Sequence, residues 1–345
     1  MPDLEGLDLA AAQHPMDRAV ALAAQGPAWG PNPRVGCVIV DAAGQVLTAG
    51  WHRGAGTLHA EADALARARA AGVDVTGATA YVTLEPCTHT GRTGPCADAL
   101  TEAGVGRVVY AVEDPNPVAA GGGEVLRSRG IPAELAPHDG AADLNSRWLT
   151  AVSAGRPYVI AKWAATLDGR TAAADGTSFW ITGEEAREHA HRVRAEVGAI
   201  VVGTGTVLAD DPSLSARPAG VADAHQPLRV AMGMTETRGR RVWRDDNAVH
   251  LATHDPAQVL AELWKRDVRV VLVEGGATVT TAFLRAGLVD EVHAYVAPVI
   301  LGAGPSAVGD LGIATMSEAL RGEDVTTVRL GADTLVAAKI TKAGP

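Results

Sequence analysis

Four residues have the types and spacing to hold a metal ion and to move a proton beside it: His59, Glu61, Cys87 and Cys96. His59 and Glu61 form a His-x-Glu pair, and each cysteine follows a proline in the stretch "LEPCTHTGRTGPC", residues 84–96. A catalytic zinc takes three protein ligands and keeps one position for water. One imidazole and two thiolates meet that need, and soft sulfur with imidazole favours zinc. Glu61 is not expected among the ligands, because residues i and i+2 point to different sides of a helix. The pair fits the first turn of a helix, where His59 binds the ion and Glu61 reaches the water on its open side. Such a water is acidified to a pKa of about 7, and a nearby carboxylate can carry its proton to a leaving amine. That chemistry is hydrolytic deamination, and His-x-Glu followed by Pro-Cys is the signature of zinc deaminases.

Cys96 is expected to open a helix, whose unpaired N–H groups favour a thiolate. The competing readings are a closed structural zinc site, which wants a fourth ligand at short spacing, and two free buried cysteines; both leave Glu61 unexplained. Cys37 lies in the apolar run "VGCVIV" and reads as inert core. The loop between the metal-binding cysteines has eight residues here, whereas nucleobase deaminases of this signature have two. The insertion "THTGRTGP" carries His89 and Arg92 toward the open face of the metal. Arginine suits a phosphate, so a nucleotide-like substrate is favoured over a free base.

The elements that position these residues are legible in outline. "PMDRAVALAAQ" has helical periodicity, and "NPRVGCVIVDAAGQVLTAGWH" reads as two strands joined by a turn. "HAEADALARARAAG" is helical with Gly72 as its C-cap, and "CADALTEAG" is a second helix. "ATAYVTLEPC" and "RVVYAVED" supply further strands, so the first half is an α/β layer. The pattern restarts after "SAGRP", which reads as a linker. The division predicted is residues 1–152 and 153–345. The second part holds at least five buried-strand candidates punctuated by glycine, including turns at "GTGT", residues 203–206, and "EGGAT", residues 274–278. Such turns let backbone approach a pyrophosphate. Neither is a full G-x-G-x-x-G, so by itself this second pattern supports only an α/β domain whose glycine pairs are either plain turns or a nucleotide site.

The set "NPRVGCVIV", "HAE", "TLEPCTHTGRTGPC" and "EDPNP", followed by "KWAATLDGRTA", "SFWIT", "TVLADDPSLSAR" and "VLVEGGATVTTAFL", resembles the bifunctional riboflavin-biosynthesis deaminase/reductase family over nearly the whole chain. The resemblance implies an N-terminal cytidine-deaminase-like α/β/α domain followed by a dihydrofolate-reductase-like α/β domain. It implies Zn2+ held by His59, Cys87 and Cys96, with Glu61 moving protons and Asn32, His52, His89, Arg92, Asp114 and Asn116 lining the substrate pocket. In the reductase it implies NADPH contacts from Ala165, Trp180, Thr206, Asp210 and residues 276–282, among them Gly276, Ala277 and Thr278. Lys162, Asp168, Ser178, Leu214, Arg217 and Glu274 would face the reductase substrate, with Lys162 and Asp168 orienting or polarising the reacting group. The implied reactions are deamination of 2,5-diamino-6-ribosylamino-4(3H)-pyrimidinone 5′-phosphate, then reduction of its ribosyl group to give 5-amino-6-ribitylamino-uracil 5′-phosphate. The alternative keeps the deaminase and leaves the second domain binding nucleotide without turnover.

Composition excludes several other classes. The formal net charge is −10, from 30 basic and 40 acidic residues, and no block of like charge offers a footprint for nucleic acid or anionic lipid. The N-terminus is acidic where a signal peptide would be basic. No stretch has the apolar length of a membrane span, and three sparse cysteines do not make a disulfide framework. A cytoplasmic enzyme acting on a small molecule is expected, and the resemblance adds self-association into a homo-oligomer.

Overall fold

The computed structural model describes residues 14–89, 94–178 and 180–341, and the chain divides into two compact units, Met1–Ala154 and Gly155–Pro345. The first unit runs α1 (Pro15–Ala23), β1 (Gly36–Val40), β2 (Val46–Trp51), α2 (Ala60–Ala71), β3 (Thr79–Val82), α3 (Cys96–Glu102), β4 (Arg107–Tyr110), α4 (Gly122–Ser128), β5 (Ala133–Leu135) and α5 (Asp139–Ala154). Its sheet has the order β2-β1-β3-β4-β5, antiparallel through β1 and parallel from β3 to β5.

Strand β1 shows why this sheet is covered on both faces. All five of its residues are buried, and successive side chains of a strand alternate sides. Cys37 and Ile39 join the layer that holds Ala64, Leu65, Leu100 and Leu126. Val38 and Val40 join Met16, Leu22 and Ala141 on the opposite side. An uninterrupted apolar run is the mark of a strand buried on both faces. Helix α2 sits unusually close to β2: a Cβ placed on Gly50 would lie 2.5 Å from the Ala64 nitrogen and 2.7 Å from the Ala60 carbonyl oxygen. Only glycine permits that approach. Gly72 closes α2 in the left-handed conformation expected of a C-cap.

The second unit runs β6 (Tyr158–Thr166), α6 (Glu184–Ala195), β7 (Ala199–Gly203), α7 (Thr204–Asp210), β8 (Leu228–Met232), β9 (Ala248–Leu251), α8 (Pro256–Lys265), β10 (Val270–Val273), α9 (Ala277–Arg285), β11 (Glu291–Ala297), β12 (Arg321–Leu330) and β13 (Asp333–Thr341). The sheet order is β12-β13-β11-β6-β10-β7-β8-β9, parallel from β11 to β9 with an antiparallel hairpin at one edge. Strand β10 inserts between β6 and β7, so the order reverses there. Open parallel sheets bind ligands outside the carboxyl ends of strands at such a reversal.

Two features depart from the sequence expectation. "GTGT" and "EGGAT" are not free-standing turns: Gly203 and Gly276 are N-caps, and α7 and α9 begin at the next residue. The hairpin of β12 and β13 was not anticipated, because nearly every residue of β12 is exposed and no buried alternation marks it. Among the described residues, no helix is long and apolar enough to cross a membrane.

Candidate active sites

His59 is the N-cap of α2, Cys96 the first residue of α3, and Cys87 lies in the loop that leaves β3. Their ligand atoms all lie within 4.8 Å of one another. His59 Nδ1 is 3.6 Å from Cys87 Sγ and 3.4 Å from Cys96 Sγ. The donor set suits zinc, since three soft or borderline ligands converge and no fourth protein ligand joins them among the described residues. The two thiols are in contact, so ionisation of one opposes ionisation of the other. Hydrogen bonding from Cys96, reinforced by His59, brings the Cys87 thiol down to about 4, and Cys96 is pushed up by its contact with Cys87 and by burial. Cys96 opens α3, as expected from the sequence. Cys37 is buried and its thiol raised, first by burial, as inert core requires.

Glu61 occupies the second position of α2 and is only 3% exposed. Burial, then the negative charge on Cys87, raises its carboxyl to about 7. Asp63 anchors the same helical turn. It accepts a hydrogen bond from the Trp51 amide at 3.2 Å and pairs with Arg53 at 3.0 Å and Arg67 at 3.1 Å. The turn carrying His59 and Glu61 is thereby tied to the end of β2.

His52 follows directly from β2 and is buried, not a surface histidine. Its Nδ1 lies 2.9 Å from the Leu58 carbonyl, which only accepts, so Nδ1 carries the proton and Nε2 accepts from Asn32 Nδ2 at 2.9 Å. Burial lowers the His52 pKa and favours this neutral form. The backbone on either side of Asn32 is held by α5. Asn145 exchanges two hydrogen bonds with the Arg34 backbone, at 2.9 and 2.8 Å, and Trp148 Nε1 donates to the Pro31 carbonyl at 2.9 Å.

The rings of His52 and His89 lie 5.3 and 6.2 Å from that of His59, so both stand beside the cluster of candidate metal donors. Asp114 and Asn116 form a turn in which Asp114 Oδ1 accepts from the Asn116 amide at 2.9 Å. Burial lifts the Asp114 carboxyl to about 6. Arg92 lies outside the described residues.

In the second unit the exits of β6, β7 and β10 meet at the reversal of strand order. Glu274 follows β10 and is gripped by Arg194 of α6 through two bonds, Nε to Oε1 at 2.6 Å and Nη2 to Oε2 at 2.7 Å. Lys162 of β6 stands 3.8 Å from Glu274 Oε2 and 5.3 Å from the centre of the Tyr295 ring. Burial works against the Glu274 charge, but Arg194 and Lys162 overcome it and hold the carboxyl at about 2. Burial pushes the Lys162 ammonium below its ordinary value, opposed by Glu274. Arg194 Nη1 also donates to the Ser215 carbonyl at 3.1 Å, and Arg217 donates to Ser215 Oγ at 2.6 Å. Thr206 Oγ1 accepts from the Gly276 amide at 3.2 Å, linking the starts of α7 and α9.

The other residues singled out in this unit fall into different settings. Ala165 is buried in β6, and Asp210 is exposed at the end of α7. Leu214 is buried with φ of 49°, a left-handed conformation costly for a leucine and concentrated at functional sites. Ser178 and Trp180 are exposed; Trp180 is not core, and its ring carries the Arg187 guanidinium 4.3 Å from its centre. Ala277 and Thr278 form the first turn of α9. Asp168 accepts from Thr166 Oγ1 at 2.6 Å, Leu301 N at 3.2 Å and Gly302 N at 2.7 Å, and the Thr166 bond above all brings its carboxyl to about 2. Arg194, Tyr295 and Asn145 were not anticipated. Arg194 is one of several arginines on a polar helix, and nothing local distinguishes it.

A family model described as the cytidine and deoxycytidylate deaminase zinc-binding region matches residues 10–112. One described as the RibD C-terminal domain matches residues 157–336. The chain is 46% identical over 312 residues to the riboflavin biosynthesis protein RibD of Mycobacterium tuberculosis, covering 89% of this chain and 90% of that protein. This chain belongs to the RibD family. With the family's RibD of Corynebacterium ammoniagenes it shares 48% identity over 288 residues, 80% of this chain and 82% of that one. An Acinetobacter baumannii RibD structure superposes with a TM-score of 0.86 at 38% identity, covering 95% of this chain and 98% of that one. A Thermotoga maritima structure titled diaminohydroxyphosphoribosylaminopyrimidine deaminase / 5-amino-6-(5-phosphoribosylamino)uracil reductase matches with a TM-score of 0.81 at 33% identity, over 95% and 98% of the two chains. The chain is accordingly a bifunctional enzyme of riboflavin biosynthesis, a deaminase domain followed by a reductase domain.

Proposed function

We propose that this enzyme removes the 2-amino group of 2,5-diamino-6-ribosylamino-4(3H)-pyrimidinone 5′-phosphate as ammonia and then reduces the ribosyl group with NADPH, giving 5-amino-6-ribitylamino-uracil 5′-phosphate. The deaminase corresponds to residues 1–152 and the reductase to residues 153–345. The observation that carries the first step is a buried carboxylate, Glu61, beside three converging metal donors of which it is not one.

His59, Cys87 and Cys96 hold zinc in this reading, and zinc supplies the Lewis acidity that makes water a nucleophile at neutral pH. Glu61 takes the proton of the attacking water and delivers it to the departing amine, so water and the aminopyrimidine become the oxo compound and ammonia. Neutral His52, oriented by Asn32, His89, and the Asp114–Asn116 turn bind the ring, with Arg92 on the phosphate.

In the reductase, NADPH supplies the hydride. Its site is the paired helix starts at Thr206 and Gly276, where an added Cβ at Gly205 would meet nothing within 4 Å and backbone is open to a ligand. Ala165, Trp180, Asp210, Ala277 and Thr278 complete that site. Lys162, its charge balanced by Glu274, polarises the reacting group, while Ser178, Leu214 and Arg217 shape the substrate side. Asp168, whose carboxylate accepts from the amides of residues 301 and 302, helps orient the reacting group on the substrate side. One buried thiol, Cys37, and two metal-holding cysteines outside any disulfide suit a reducing compartment, the cytoplasm. Self-association belongs to the same proposal, supported by β12, an edge strand that exposes Val325 and Val328.

The test is to incubate the protein with the diaminopyrimidine ribotide, with and without NADPH, and follow ammonia release and NADPH oxidation. Ammonia in both conditions with NADPH consumed is expected. Ammonia without NADPH oxidation would remove the reductase step, and neither signal would remove the whole reading.

A further inference from the structure

The stretch of residues 84–96 contains one buried carboxylate, and the chemistry described above makes no use of it. Glu85 lies two residues before Cys87 and is 9% exposed. Among the described residues it makes no ion pair. A carboxylate buried without a cation is costly unless hydrogen bonds replace its water. The two bonds accepted by the Glu85 carboxylate come from the two ends of one segment: Oε1 accepts from the Gly123 amide in the first turn of α4 at 2.9 Å, and Oε2 from the Asp114 amide at 3.4 Å. Those two donors bracket residues 114–123, the loop that carries Asp114 and Asn116.

Neighbours of Glu85 grip the same loop. The Thr88 amide donates to the Ala119 carbonyl at 3.0 Å, and Thr88 Oγ1 donates to the Ala120 carbonyl at 3.0 Å. Gly122 packs onto the Pro86 carbonyl so closely that a Cβ there would lie 1.6 Å from its oxygen. Residues 85, 86 and 88 thus form a clamp around Cys87, and its far jaw is the proposed substrate loop. Of these contacts, only the Glu85 carboxylate reaches both ends of that loop.

We infer that Glu85 is a positioning residue of the deaminase: it sets the placement of the Asp114–Asn116 turn relative to the metal-binding cysteines, and so substrate affinity, while touching neither substrate nor metal. The inference rests on the functional reading above. It separates binding from chemistry, because Glu61, His59 and Cys96 are set by the starts of α2 and α3, and the Glu85 carboxylate turns away from Cys87 toward residues 114 and 123.

Glu85→Gln keeps the shape but turns one acceptor into a donor facing a backbone N–H. In steady-state deamination of the diaminopyrimidine ribotide, KM is expected to rise about tenfold, the scale of a lost charged hydrogen bond, with kcat changed by less than about threefold. Zinc content and NADPH-dependent reduction of the deaminated ribotide should stay at wild-type values. An unchanged KM, a kcat loss with KM intact, or loss of zinc would overturn the role. If Glu85→Gln does not fold, Thr88→Val, which removes one hydroxyl from the same clamp, decides in its place: a raised KM with kcat preserved supports the inference and an unchanged KM overturns it. Wild-type protein that releases no ammonia would overturn the functional reading and this role with it, whereas active wild type with an unaffected Glu85→Gln overturns the role alone.

Discussion

Arg194 and Glu274 are joined by two parallel hydrogen bonds of 2.6 and 2.7 Å, although they lie eighty positions apart in different elements. The forked guanidinium matches a carboxylate in a way an ammonium does not. Arg194→Lys keeps the charge and loses the fork, so Glu274 and the adjacent Lys162 lose their fixed geometry. The KM of the reductase step is expected to rise about tenfold or more, with deamination unaltered. Measuring both half-reactions on one preparation checks this; equal loss in both would point to general unfolding.

The same carboxylate makes a pH prediction. Glu274 is held at about 2 in the folded protein, below its ordinary value of 4.5. A depressed acid stabilises the fold above the unfolded value, and that contribution is lost as pH falls toward the folded one. The denaturation midpoint of the reductase unit should therefore fall between pH 4.5 and about 2, and Glu274→Gln should flatten the slope in that window. A variant with the wild-type slope would show that other carboxylates dominate.

Asp114 has the opposite sign. Its folded value of about 6 lies above the ordinary 3.8, so the folded state is favoured below that range and penalised as pH rises through about 6. Asp114→Asn should stabilise the first unit at neutral pH by on the order of 1 kcal/mol, discounted for partial exposure, while impairing deamination. Chemical denaturation at pH 7 with a parallel ammonia assay tests both halves of this trade.

Glu61→Gln should retain one zinc per chain and lose deaminase kcat by roughly 10³-fold, the range of a missing general acid–base. Metal analysis of the purified variant decides the role: loss of zinc would make Glu61 a ligand. Chelation of the wild type should abolish ammonia release and leave NADPH oxidation by the deaminated ribotide intact.

The metal-binding half of this molecule was largely legible beforehand because its chemistry is local. His59 and Glu61 are set by one helix start, and Cys87 and Cys96 by a loop whose prolines and length are visible in the chain. The helices and strands around them follow from apolar periodicity and from a glycine cap. The reductase half yielded less. Its glycine pairs read as turns, yet they cap helices, because only packing against the sheet decides whether a helix starts at once.

The amino-acid sequence by itself determined the residue types that can hold a metal and move a proton, the order of two α/β units, and the run of buried strands. Tertiary structure decided which charges meet. Arg194 on a polar helix, Asp168 in a turn and Glu85 before a cysteine carry no local mark of their partners. Each is assigned by a hydrogen bond to backbone or carboxylate far away in the chain. Such bonds form only once the sheets bring distant segments together, and for Arg194 and Glu85 burial then makes an unmatched charge too costly to keep.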